Sequence, residues 1–215
     1  MLARMIVTFA DSIVMRTRSK SRKSVEDRFD DLVEADRWSA ACQLIREELG
    51  ASPGDHWLLF LLGFAYHGDG KYSRALRATT KGLVAAPKCP VLLDLKAEHL
   101  GALKRTNEAI RIYRYLIRRG ARSIASDECG EGLRWAKSLV NDCCYKLACL
   151  YLDIGDRPRA KRYLRIHLRC RPNVSTLCIP MSVVKKFVRE MRDAGPGNGR
   201  SNTRGVARRK ACSLR

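Results

Sequence analysis

The chain has 215 residues, 46% of them hydrophobic and 30% charged, with a formal net charge of +20. That length can bury a substantial core without staples, and the longest apolar run, Trp57 to Tyr66, is ten residues, half of the roughly twenty that a membrane-spanning helix needs. Nine cysteines in no framework spacing argue against a disulfide scaffold and read as buried thiols in a reducing compartment, the cytoplasm.

In chain order, Met5 to Ala10 is apolar but Asp11 interrupts it, which makes a poor secretory signal. The Arg and Ser content that follows also suits a transit peptide, and a non-native start upstream of Met15 is a third reading. With the basic run at 16–23, residues 1–23 read as a flexible extension of net charge +5.

From residue 24 onward a set of positions recurs every thirty-four residues. Ala41, Ala75 and Ala109 share one register position, Pro53, Pro87 and Ala121 another, and Trp38, Tyr72 and Thr106 stand three residues before each alanine. A period of this length marks a helix-turn-helix repeat. Gly63 and Ala75 are small where two antiparallel helices cross, and Leu62, Tyr66 and Tyr72 fill the space around the crossing. Gly70 ends the first helix in a tight turn and Pro87 stops the second. The copy at 56–89, with Leu59, Leu62-Gly63, Tyr66, Gly70, Tyr72, Ala75, Leu83 and Pro87, resembles the tetratricopeptide repeat.

The copy at 24–55 is a divergent end repeat, with Arg28 and Phe29 where the resemblance calls for a leucine and a small residue. The copy at 90–123 keeps Leu93, Ala97, Leu100, Ala109, Ile117 and Ala121. An insertion of seventeen residues, 124–140, then separates it from a fourth copy at 141–173, in which Ala160 and Pro172 lie fifty-one residues after Ala109 and Ala121. Ile124 to Gly132 reads as loop, whereas Leu133, Ala136, Val140, Cys143 and Leu147 keep helical spacing, so the first helix of that copy is expected to be about two turns longer than the others. Val183, Val184, Phe187, Val188 and Met191 form one apolar stripe within 174–193, a capping helix for the open end of the array. The tail at 194–215 has almost nothing to bury and reads as basic and disordered. The expected fold is all-α, a right-handed α-solenoid of tetratricopeptide-like repeats with a C-terminal capping helix.

Catalytic patterns are missing. Gly68-Asp69-Gly70-Lys71 lacks the spacing of a phosphate-binding loop, and the chain holds no Cys-x-x-Cys, no His-Glu-x-x-His and no nucleophile elbow. His56, His67, His99 and His167 are scattered, none with a second His or Cys at ligand spacing on its own helix. The expectation is a non-enzyme with no metal site and no cofactor. The acids of Ser126 to Glu131 read as a capped helix start, and Asn173-Val174-Ser175 as a chance match to a glycosylation acceptor.

The resemblance implies a groove lined by the first helices of successive repeats, where a protein or peptide partner is held. Carried over by register, its partner-facing positions are Trp57, Phe60, Phe64 and His67, then Asp94 and Glu98, then Asp142, Tyr145 and Asp153. That set is acidic and aromatic, which implies a basic-hydrophobic ligand. It also argues against the co-chaperone subgroup that grips acidic peptides with basic groove residues, because Phe60, Phe64, Asp94 and Glu98 stand at those positions. The positive excess is concentrated at 1–23, 122–172 and 173–215, at +5, +5 and +8. Arg111, Arg114 and Arg118 form one basic stripe, and Arg162, Arg165 and Arg169 another, on second helices that face outward. The main function expected is an interaction scaffold. The alternatives are nucleic-acid or ribonucleoprotein binding through the basic faces and tails, and a regulatory or accessory subunit of an enzyme or secretion complex.

Overall fold

The structure, a computed structural model, describes residues 20–171 and 179–193. The readings of residues 1–19, of Pro172, of the glycosylation match and of the tail lie outside the described residues. Within them the chain forms nine helices and no strand: α1 (Lys20–Glu34), α2 (Trp38–Ala51), α3 (His56–Gly68), α4 (Tyr72–Ala85), α5 (Pro90–Ala102), α6 (Thr106–Ala125), α7 (Leu133–Asp153), α8 (Arg157–Cys170) and α9 (Met181–Asp193). Each helix packs against the next from α1 to α8, and α3 also touches α5. This is an α-solenoid of four helical hairpins with a further helix behind the last.

The register of the sequence is the register of the helices. The second helices begin at Trp38, Tyr72, Thr106 and Arg157, the same repeat position once the insertion is allowed for. Before each lies a residue with positive φ, namely Asp36 (55°), Gly70 (72°), Lys104 (62°) and Gly155 (79°). There the N–H groups of Arg37, Lys71, Arg105 and Asp156 reach back to the carbonyls of Leu32, Tyr66, Leu100 and Tyr151, each at 2.8 Å. A left-handed residue with this back-bond caps the carbonyls left open at a helix C-terminus. Two of the four turns therefore run without glycine.

The crossings are tight where small residues were expected. Ala41, Ala75, Ala109 and Ala160 are fully buried, and a Cβ on Gly63 would lie 2.5 Å from Thr79 Oγ1. Trp38 covers Gly68, where an added Cβ would meet its ring at 2.4 Å. Two apolar cores result. One joins α1, α2 and α3 around Phe29, Ile45 and Leu62, and the other runs from α4 to α9 around Leu92, Leu116, Leu147 and Val184. Phe60 packs against both.

The insertion is shorter in loop than its composition suggests. Gly120, at φ 72° and ψ 161°, kinks α6 at the position where α4 ends, and the helix resumes through Ala125. Ile124, read as loop, is fully buried in that last turn, because its apolar side chain meets the larger core. Lys20 to Lys23, assigned to the flexible extension, are helical in α1. Helix α7 has 21 residues against 13 in α5. Val184, Phe187 and Met191 of α9 are buried on the end of the array, where Tyr145 meets Phe187 edge-on at 5.4 Å. Arg157 and Arg171 donate to the carbonyls of Met191 and Ile179, both at 2.7 Å.

Candidate functional site

The first helices lie side by side, and a polar pair bridges each junction between them. Glu26 of α1 accepts from the indole N–H of Trp57 on α3 at 2.7 Å. His67 of α3 meets His99 of α5 at 2.8 Å between their Nδ1 atoms. Asp94 and Glu98 of α5 both hold Lys146 of α7, with Nζ at 2.8 and 2.7 Å from the two Asp94 oxygens and 2.6 Å from Glu98 Oε1. These partners are separated by 31, 32 and 52 residues, so they exist only once the repeats have stacked.

Lys146 corrects the acidic groove. It was absent from the expected set, yet it sits between the two acids that set carried on α5, over the ring of Tyr113 at 5.8 Å. The three side chains are 17 to 24% exposed. Burial pushes the Asp94 carboxyl up to about 6, against the pull of Lys146. Burial also opposes ionisation of Glu98, but Lys146 and His67 outweigh it and hold that carboxyl below its ordinary value. The spacing of Lys146 gave no warning, since a lone lysine on a long helix reads as solvated.

Two further residues leave the groove. Asp142 and Tyr145 are each 3% exposed, and the Tyr145 ring packs between His167 of α8 and Phe187 of α9. Asp153, at the end of α7, is exposed. Of the aromatics, Trp57 and Phe60 stack at 4.8 Å and are half-buried, whereas Phe64 sits against Phe29 and Trp38 in the first core.

The histidine pair is locked by hydroxyl chemistry. Thr79 Oγ1 donates to the Ala75 carbonyl at 2.9 Å, so its lone pair is left to accept from His99 Nε2 at 3.0 Å. With its proton on Nε2, His99 accepts at Nδ1, and His67 donates from its own Nδ1. Burial, and then the field of His67, push His99 down to about 3. His67 is lowered as well, chiefly by burial. Both rings are neutral structural groups at pH 7. His167 is also fully buried; it donates from Nδ1 to the Asn141 carbonyl at 2.9 Å and accepts from Arg171 at Nε2.

Arg111, Arg114 and Arg118 of α6 and Arg162, Arg165 and Arg169 of α8 are all exposed. Helices α6 and α8 are the second helices of their hairpins.

A second cluster forms where the insertion meets the array. The Sγ of Cys129 lies 3.3 Å from His56 Nε2, and the ligand atoms of His56, Cys89 and Cys129 all lie within 4.8 Å of one another. Cys89 is buried and the other two are half-buried. The Cys89 thiol is held below its ordinary value by the Cys129 thiol beside it and by the Leu92 and Val91 N–H groups at the start of α5. Ligand spacing along any single helix does not reveal this cluster, because His56 opens α3, Cys89 precedes α5 and Cys129 comes from the loop. The repeat register held the signal: Cys89 is the equivalent of Asp55, next to His56, and equivalent positions of successive repeats are neighbours in a stack.

No protein-family model matches this sequence, and no curated protein sequence matches it either. Two crystal structures of MamA, a protein of the tetratricopeptide type, are similar in fold. One is 18% identical, with a TM-score of 0.52 over 76% of this chain and 86% of that one. The other is 16% identical, with a TM-score of 0.53 over 80% and 88%. The chain therefore has a tetratricopeptide-like helical-repeat fold. Among the described residues no helix is long and apolar enough to cross a membrane.

Proposed function

We propose that this protein is a non-enzymatic scaffold that holds a partner protein or peptide against the face of its first helices. The observation that carries the reading is the ladder of Glu26 with Trp57, His67 with His99, and Lys146 with Asp94 and Glu98. It ties four helices into one face before any ligand arrives, and a preformed surface loses less conformational freedom on binding. The stacked, half-exposed pair of Trp57 and Phe60 offers rigid aromatic area on that face, the kind of group that dominates interfaces. Since Lys146 already counters Asp94 and Glu98, an apolar anchor is the primary feature of the partner, and basic flanks are secondary.

The test uses the full chain and a displayed peptide library. Trp57→Ala is expected to weaken capture by about 2 kcal/mol or more, while Arg114→Glu and Arg165→Glu leave it unchanged. Circular dichroism of each variant checks the fold. If the Trp57 variant folds and binds as well as the parent, the first-helix face is not the working surface. The exposed stripes on α6 and α8 support a second reading, binding to a polyanion such as nucleic acid. That reading requires the two arginine variants to lose binding and the affinity to fall steeply with salt.

A further inference from the structure

The cluster of His56, Cys89 and Cys129 has no place in the ladder or in partner binding. Its ligand types are two thiols and one imidazole, drawn from three segments, with every pair of ligand atoms inside 4.8 Å and Cys129 Sγ 3.3 Å from His56 Nε2. A tetrahedral zinc with bonds of about 2.3 Å to sulfur and about 2.0 Å to nitrogen spaces its ligands at roughly 3.5 to 3.8 Å. The cluster is already near that spacing.

The surroundings are built to keep these groups together. Arg119 donates to the carbonyl of Lys88, beside Cys89, at 2.8 Å, and its other arm pairs with Asp127, two residues before Cys129. One guanidinium thus holds both cysteine-bearing segments. The loop is pressed onto the end of α6 at Gly130, where a Cβ would meet the carbonyl oxygens of Ile124 and Ala125 at 2.5 and 2.7 Å. The Gly130 N–H also closes a turn over Cys129 by donating to the Asp127 carbonyl at 2.8 Å.

The geometry points to a binding site for a thiophilic divalent cation of the zinc class, held by His56 Nε2 and the sulfurs of Cys89 and Cys129. A water completes the tetrahedron, as is usual where three protein groups bind zinc. The ion would clamp the insertion loop to the junction of α3 and α5 and so join parts of the chain 73 residues apart. Arg119 is a positioning residue for this site, acting through Lys88 and Asp127.

The experiment titrates the reduced, chelator-treated full chain with Co2+ as probe, under anaerobic conditions. The expected result is one ion per chain, with the visible bands of tetrahedral cobalt and a thiolate charge-transfer band in the near ultraviolet, all displaced by Zn2+. Cys129→Ser and His56→Ala each lose these bands, Cys170→Ser keeps them, and Arg119→Ala weakens affinity about 10- to 100-fold. Zn2+ raises the unfolding midpoint of the parent and leaves that of Cys129→Ser unmoved. Because the parent protein is itself read out, a misfolded variant cannot rescue the idea. Absence of tetrahedral bands in the parent, bands that survive Cys129→Ser, or isolation of Cys89 and Cys129 as a disulfide that takes up no Co2+ after reduction would each overturn it.

Discussion

Replacing Lys146 with methionine keeps an unbranched apolar stem that ends at the Cε position and removes the ammonium between Asp94 and Glu98. Lys146 Nζ lies 2.7 Å from Asp94 Oδ2 and 2.6 Å from Glu98 Oε1, and the three side chains are 21, 17 and 24% exposed. Removing one partner of a buried ion pair costs about 3 to 5 kcal/mol, because the remaining charge stays buried without compensation. A fifth of each side chain meets water here, so the expected loss at pH 7 is about 3 kcal/mol, or a midpoint lowered by about 6 to 12 °C for a chain of this size. The loss is pH-dependent with a defined sign. With the pull of Lys146 gone, burial, the largest influence on both carboxyls, is expected to hold them above their ordinary values of 3.8 and 4.5. A raised carboxyl contributes stability that is complete below its unfolded pKa and is lost as pH rises through the folded one. The deficit of the variant therefore shrinks as pH falls from about 7 to about 5. Urea unfolding followed by circular dichroism at those two pH values measures it, and adding Asp94→Asn and Glu98→Gln restores most of the stability. A loss below about 0.5 kcal/mol at both pH values, the behaviour of a solvated surface pair, would refute the buried-triad argument.

Three shorter predictions follow from other positions. Gly70→Ala places a Cβ on a residue at φ 72° and is expected to cost about 1 to 2 kcal/mol, whereas Lys104→Gly at the equivalent turn raises the midpoint in a thermal melt. Gly63→Ala sets a Cβ 2.5 Å from Thr79 Oγ1 and costs about 1 to 3 kcal/mol by overpacking, while Gly50→Ala, with nothing within 4 Å, is neutral or stabilising. His99, depressed from 6.5 to about 3, contributes stability that is complete above pH 6.5 and is lost as pH falls through that window, by up to about 1.4 kcal/mol per pH unit. The parent should therefore lose about 2 kcal/mol more than His99→Gln between about pH 7 and pH 5 in urea titrations, and equal acid slopes would show that His99 is not held neutral.

The thirty-four-residue period was sufficient to read the hairpins, their register and the small residues at their crossings, because those features depend on residues close in sequence. Trp38, Tyr72 and Thr106 mark the starts of second helices whether or not the repeats have stacked, and the stripe of Val184, Phe187 and Met191 is amphipathic by itself. The turn was legible at Gly70; Asp36 and Lys104 adopt the same left-handed geometry because the back-bond and the packed helices on either side impose it. What the stacking alone decided is which charges and rings meet. Lys146 neutralises Asp94 and Glu98 across 52 and 48 residues of chain, Tyr145 packs between His167 and Phe187, and His56, Cys89 and Cys129 converge from three segments. A repeat pattern reports the face on which each residue lies, whereas the partner across that face comes from another repeat, and its identity follows from how the hairpins pack.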